Sequence, residues 1–197
     1  MVINKFSELL EKIQSCRHCE DHLPCPPKPV LQVHPDAKIL IAGQAPGRKV
    51  QESCIPFDDA SGDKLRRWLG VDKKQFYNEK QFAIVPMGFC FPGTSKQGDL
   101  PPRPECAAQW RQALLAQLPN IQLTLVIGQY AQQYHFGGKK MSVTDRVKQW
   151  KDYTPSRLAL PHPSPRNIRW FQSNPWFDEQ VIPYLQLQVQ RLLNLGG

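Results

Sequence analysis

"KILIAGQAPG", residues 38–47, decides the fold. Ile39, Leu40, Ile41 and Ala42 form an unbroken apolar run, the pattern of a strand buried on both faces rather than one. Gly43 stops the run, and the glycines at 43 and 47 form a tight turn whose backbone N–H groups can approach a ligand closely. Working outward, "QFAIVPMGF" (81–89), "IQLTLVIG" (121–128) and "SRLALP" (156–161) read as further short apolar strands.

Helical patterns lie between them. "SGDKLRRWLG" (61–70) sets Leu65, Trp68 and Leu69 at helical spacing and stops at Gly70. "PECAAQWRQALLAQL" (104–118) opens on Pro104 and lines Ala108, Leu114, Leu115 and Leu118 along one side. "QYAQQYHF" (129–136) follows the third strand, and "NPWFDEQVIPYLQLQVQRLL" (174–193) closes the chain with a kink expected at Pro183. Short apolar strands alternating with helices predict a parallel α/β sheet covered on both faces, within a single domain over residues 1–197. Ligands of such sheets bind at the carboxyl ends of strands. "GQAPG", "PMGFC" (86–90) and "HPSPRN" (162–167) all fall there, and are expected to converge on one cleft.

The net charge of +8, from 25 Lys+Arg against 17 Asp+Glu, points to a polyanionic partner such as nucleic acid. A charged fraction of 21% and hydrophobic fraction of 41% exclude wholesale disorder. No apolar run approaches the roughly 20 residues of a membrane span. "MVINKFSELLEKIQSC" (1–16) reads as an amphipathic helix with Phe6, Leu9, Leu10 and Ile13 on one side, not as a secretory leader. A cytoplasmic monomer with no membrane contact is therefore expected. In a reducing compartment the six cysteines are thiols or metal ligands rather than disulfides. "CRHCEDHLPCPPKPVLQVHPDA" (16–37) is too rich in proline for regular structure.

"LPHPSPRNIRWF" (160–171) gathers His162, three prolines, Ser164, Asn167 and two arginines. The prolines predict that it is neither helix nor central strand. A histidine held by prolines can donate a hydrogen bond to an oxygen gaining negative charge, and Ser164 can anchor a phosphate. Arg166 can enter a nucleic-acid groove.

In order and spacing, the G-x-x-P-G-type turn after the first strand and the H-P-S loop after the last resemble the uracil-DNA glycosylase superfamily. The resemblance runs from about Ser15 to Leu187. It is closest to the iron–sulfur uracil-DNA glycosylases of family 4, through "SCRHC … ILIAGQAPG … PFDDASGDKL … FCFPG … PPRPECAA … LVIG … LPHPSPRN". The "HPSPRN" itself is similar to that of the single-strand-selective monofunctional uracil glycosylases. The resemblance implies a three-layer α/β/α fold with a central four-stranded parallel sheet, and excision of uracil or a related deaminated base from DNA after the nucleotide is flipped out.

Residue by residue, the resemblance makes His162 the donor to uracil O2 and Phe57 the aromatic that stacks on the flipped base. Gln44 stands at the catalytic place in the turn, Ala45, Pro86 and Met87 at base-binding places, and Ser164, Arg166 and Asn167 on DNA. It matches Cys16, Cys19, Cys90 and Cys106 to the ligands of a structural 4Fe–4S cluster; the same thiolates leave zinc as the alternative. Cys25 is a possible competing ligand, and Cys54 is left over.

Two positions depart from the family. Many iron–sulfur members read "GEAPG", whereas Gln44 and Ala45 leave this turn without a carboxylate base. Glu52, Asp58 and Asp59 are the nearby candidates to replace it. Where the family carries an Asn that reads the base edge, Pro86 has no amide to offer. A protein that binds nucleic acid on this fold with little or no catalysis is therefore the second reading, and excision of another base the third.

Overall fold

The computed structural model describes residues 5–96 and 98–194, so the first residues of the N-terminal segment lie outside it. In chain order the elements are α1 (Lys5–Gln14), β1 (Ile39–Ala42), α2 (Arg48–Ser53), α3 (Ala60–Leu69), α4 (Lys73–Phe76) and β2 (Phe82–Ile84). A hairpin of β3 (Thr94–Ser95) and β4 (Gly98–Asp99) follows, then α5 (Pro104–Cys106), a π turn (Ala107–Arg111) and α6 (Gln112–Leu115). The rest is β5 (Leu123–Ile127), α7 (Gly128–Phe136), α8 (Val143–Lys148), β6 (Arg157–Leu160), α9 (Ile168–Ser173), a second π turn (Phe177–Val181) and α10 (Ile182–Leu193).

The main sheet runs β2-β1-β5-β6 and all its pairs are parallel. Ile39 sits in register with Phe82 on one side and Leu123 on the other, so β1 is central and buried throughout. Alternation along the strands divides the core into layers. Ile39, Ile41, Phe82 and Ile84 face Leu65, Trp68 and Leu69 of α3 and Leu185, Val189 and Leu193 of α10. Leu40, Ala83 and Val85 face Ile13 of α1 together with Leu114 and Leu118. The arrangement is the expected three-layer α/β/α sandwich.

The chain passes from β1 to β2 on one side and later returns to β5 on the other side of β1. The winding thus reverses beside β1, and a crevice opens at its carboxyl end. Beyond the strands the two exits stay joined, Met87 N–H donating to Gly43 O (2.9 Å) and Gly88 N–H to Gln44 O (3.0 Å).

Three sequence expectations are corrected. Residues 160–171 are not devoid of helix: Pro165–Asn167 forms a 3-10 turn and α9 begins at Ile168. Proline forbids a helix interior but suits a first turn, and Pro165 opens one. Ala108 is exposed, and Arg111 is the buried residue on that side. The π turn there holds more residues than an α turn, so a stripe read at α spacing slips out of step. The break near Pro183 is the π turn just before it, and Pro183 itself sits in the first turn of α10.

Edge-on aromatic contacts among Trp68, Phe171 and Phe177 tie α9 to α3, and Lys64 Nζ lies 3.2 Å from the Phe171 ring centre. That packing sets the loop ahead of α9 beside the loop ahead of α3. Among the described residues no helix is long and apolar enough to cross a membrane.

Candidate active site and cysteine pocket

A cavity of about 330 Å³ opens where β1, β2 and β6 end. Gly43, Gln44, Ala45, Phe57, Pro86, His162, Ser164 and Arg166 all line it, so the three segments do converge. Such a volume is that of a small-ligand site.

His162 is half-buried at the exit of β6. Its Nδ1 accepts the Ser164 N–H (3.2 Å), and its carbonyl accepts a bond from Asn167 Nδ2 (2.8 Å). Burial pushes its pKa below the usual histidine range, against the pull of the Asp59 and Asp99 carboxylates. A neutral ring whose Nδ1 accepts carries its proton on Nε2. His162 is therefore a pre-oriented N–H donor at the cavity wall. Asn167 does not line the cavity; it braces the histidine backbone from behind.

Ser164 Oγ accepts the Arg166 N–H (3.2 Å) and caps the 3-10 turn, leaving its own O–H to donate outward. Arg166 is exposed, and its guanidinium lies 2.7 Å from where a Cβ on Gly98 would stand. Motif and hairpin are thus in direct contact.

Phe57 takes a left-handed backbone, φ 56°, unusual for a bulky residue. A Cβ on Gly62 would collide with the Phe57 carbonyl, so the first turn of α3 can slide under it only because residue 62 is glycine. Asp59 caps that helix, accepting the Gly62 N–H (2.8 Å), and the Phe57 ring meets Phe76 edge-on at 6.2 Å. The ring is fixed from below and presented at the cavity.

Other expected residues go elsewhere. Met87 is buried with Ala42, Val126 and Ala131 and does not line the cavity. Neighbours in extended chain point to opposite sides, so Pro86 and Met87 cannot both face one site. Gln44 is engaged, its Nε2 donating to Leu100 O (3.1 Å). Of the acidic candidates, Asp58 pairs with Lys73 (3.3 Å), Glu52 stands away from the cavity, and Asp59 lines it.

The sequence reading missed Asp99, Arg48, Lys49 and Ser61, which also line the cavity. Only Asp99 had a local signal, the glycine beside it in "SKQGD" marking a hairpin turn. It also missed Arg111, fully buried, which donates to Val85 O (3.0 Å) and Pro86 O (2.9 Å) and holds the end of β2.

Cys16, Cys19, Cys90 and Cys106 line one small pocket on the far side of the β2 exit, with His18, Arg103 and Trp110. Two come from the segment after α1, one follows β2 and one ends α5. Cys25 is outside this lining and Cys54 is exposed. Burial, and then neighbouring sulfurs, push the thiols of Cys90 and Cys106 up, to about 11 and about 12, although each also gains from a backbone N–H. All six cysteines are free thiols. Among the described residues no three Cys, His, Asp or Glu stand close enough to hold a single metal ion as they are.

Comparison with known proteins agrees with this geometry. A type-4 uracil-DNA glycosylase of Thermotoga maritima is 26% identical over 161 residues, covering 78% of this chain and 79% of the relative. Residues 31–186, from just before β1 into α10, match the uracil DNA glycosylase superfamily. The turn after β1, the loop after β6 and the sheet between them are thus parts of one family pattern, and the chain belongs to the uracil DNA glycosylase superfamily.

Proposed function

We propose that this protein is a monofunctional DNA N-glycosylase, which hydrolyses the bond between deoxyribose and uracil or a related deaminated base in base excision repair. The observation that carries the reading is the neutral His162, with its Nε2–H available at a cavity that Phe57 also lines. As the glycosidic bond breaks, negative charge gathers on the base oxygens, and a fixed donor there stabilises the transition state more than the substrate. Phe57 stacks on the flipped ring, while Ser164 and Arg166 face the strand it left. Uracil-containing single- and double-stranded oligonucleotides followed by alkali cleavage test this directly. Strand breaks at uracil, or at another deaminated base, support it.

One feature favours the second reading, a binding protein with little catalysis: Gln44 and Pro86 stand where the family puts a carboxylate and an amide. Retention of uracil-containing DNA with no base released would select it. Both readings place DNA on the basic surface around Arg48, Lys49 and Arg166. Affinity should therefore fall steeply with salt, because each neutralised phosphate releases counterions. Arg166→Ala should weaken binding to abasic sites more than to intact duplex, as gel-shift titration would show. Equal loss on both would make Arg166 a general phosphate contact.

The four-cysteine pocket fits a 4Fe–4S cluster, held by Cys16, Cys19, Cys90 and Cys106. The thiols of Cys90 and Cys106, raised by burial and by the sulfurs beside them, are relieved when metal deprotonates and binds them. Zinc would draw all four sulfurs to about 2.3 Å from one point, whereas thiols spread around a pocket suit a larger group. Bound there, a cluster would serve structurally, with Cys16 and Cys19 tying the proline-rich segment after α1 to Cys90 after β2 and to Cys106 of α5. Anaerobically purified protein should be brown, with about four irons per chain. Cys16→Ala should lower the melting temperature more than Cys54→Ala. Colourless protein with stoichiometric zinc would replace the cluster, and metal-free protein of normal stability would remove both.

A further inference from the structure

The turn after β1 has no carboxylate, yet the cavity it borders does. Asp99 ends the β3–β4 hairpin and lines the same cavity as His162. Its Oδ2 lies 3.5 Å from the place a Cβ on Gly47 would take, so it stands against the wall built by the glycine turn.

The hairpin is held on both flanks. Arg166 lies against Gly98, whose φ of 128° only glycine adopts comfortably, and Leu100 N–H donates to Gly93 O (2.9 Å) across its base. From the turn, Gln44 Nε2 donates to Leu100 O (3.1 Å), one residue beyond Asp99. Among the described residues Asp99 makes no side-chain hydrogen bond or ion pair, whereas Asp59 caps α3 and Asp58 pairs with Lys73. Asp99 is thus the cavity carboxylate not committed to structure. Its charge reaches His162, since it opposes the burial that lowers that ring's pKa.

We propose that Asp99 is the water-activating base of this site, supplying from the hairpin the carboxylate that the β1 turn lacks, and that Gln44 is its positioning residue. The inference rests on the glycosylase reading above. In the step it describes, a water oxygen bonds to the sugar C1′ as the C1′–N bond breaks. The Asp99 carboxylate takes a proton from that water. The bond's electron pair leaves with the base, whose anionic oxygen accepts a hydrogen bond from the His162 Nε2–H; the products are an abasic sugar and the base anion, and the proton on Asp99 passes to solvent. The same carboxylate stabilises positive charge on the sugar before water adds. Gln44, uncharged and turned toward Leu100, cannot take the proton, but its amide keeps the hairpin against the turn.

Single-turnover excision from a uracil-containing oligonucleotide tests this in wild type, Asp99→Asn, Gln44→Ala and the double variant Asp99→Asn with Gln44→Glu. Asp99→Asn should lose about 10²–10⁴ in rate, the range of general-base catalysis. Binding to abasic-site DNA and melting temperature should stay as in wild type, because Asp99 is exposed and Asn is isosteric. Gln44→Ala should lose less, with abasic-site affinity retained. Gln44→Glu should recover part of the Asp99→Asn loss by returning a carboxylate to the turn. Wild type that releases no base sinks the glycosylase reading, and this assignment with it. An active wild type matched by Asp99→Asn leaves the activity standing and overturns Asp99 as its base. Recovery absent from the double variant, with Gln44→Ala at the wild-type rate, overturns the positioning role.

Discussion

His162→Leu should cost about 10²–10³ in the single-turnover rate of base release, the loss expected for one preorganised oxyanion donor. Leucine keeps the bulk at the β6 exit, so the variant tests the N–H rather than the packing. The Ser164 N–H, bonded to Nδ1, fixes which ring nitrogen carries the proton, and the Asn167 amide holds the His162 backbone carbonyl. Affinity for abasic-site DNA should change little, because phosphate contacts dominate it. Burial lowers the imidazole pKa, so the ring is neutral, with its N–H to donate, at neutral pH and above. A wild-type rate in His162→Leu would make the histidine structural and move the leaving-group donor elsewhere.

How much of this was legible from residues alone follows from the range of the interactions. Ile39–Ala42 reads as a buried strand because four successive apolar residues have no exposed face to offer, and the structure buries them all. Leu65, Trp68 and Leu69 read as a helix face, and all three are buried. Gln44, Ala45, His162, Ser164 and Arg166 were legible because two motifs at the ends of strands place them, Pro86 because it follows the second strand, and Phe57 only through the family resemblance; all seven share one cavity.

What was not legible depends on contacts between distant segments. Met87 faces the core because Pro86 takes the cavity side, a consequence of alternation once the strand exit is known to be extended. Asp99 reaches the site only because Gly98 lets Arg166 close over the hairpin and Gln44 holds Leu100. Gln44 itself looked like a failed catalytic position; in three dimensions its amide is committed to a backbone carbonyl. Arg111 was hidden by its type, since a single arginine in "AAQWRQALL" reads as a solvated position until the strand end behind it is known.

Arg111→Met should lower the free energy of unfolding by about 3 kcal/mol or more, because it leaves several buried acceptors without a donor, at about 1–3 kcal/mol each. Those acceptors are Val85 O, Pro86 O and His135 Nε2, the last 2.7 Å from the guanidinium. Burial lowers the Arg111 pKa to about 10, which still leaves it charged at neutral pH. His135 is driven to about 3, first by burial, then by the charges of Arg111 and Arg157, so it stays neutral and accepts. The sign of the pH dependence follows. A histidine titrating near 6.5 when unfolded and near 3 when folded takes up its proton first in the unfolded chain. Its stabilising effect is complete above about pH 6.5 and is lost progressively as pH falls toward 3. Without the neighbouring cation that window narrows, since burial alone then depresses the ring. Arg111→Met should therefore be the less stable protein at pH 7, yet lose less on going from pH 7 to pH 5. Urea unfolding at the two pH values reads both effects. Because Arg111 holds the Pro86 carbonyl at the cavity wall, base release by the folded variant should also slow while DNA binding persists. Equal unfolding midpoints for Arg111→Met and wild type at pH 7 would mean that the strand end holds itself, and that the buried arginine only fills space.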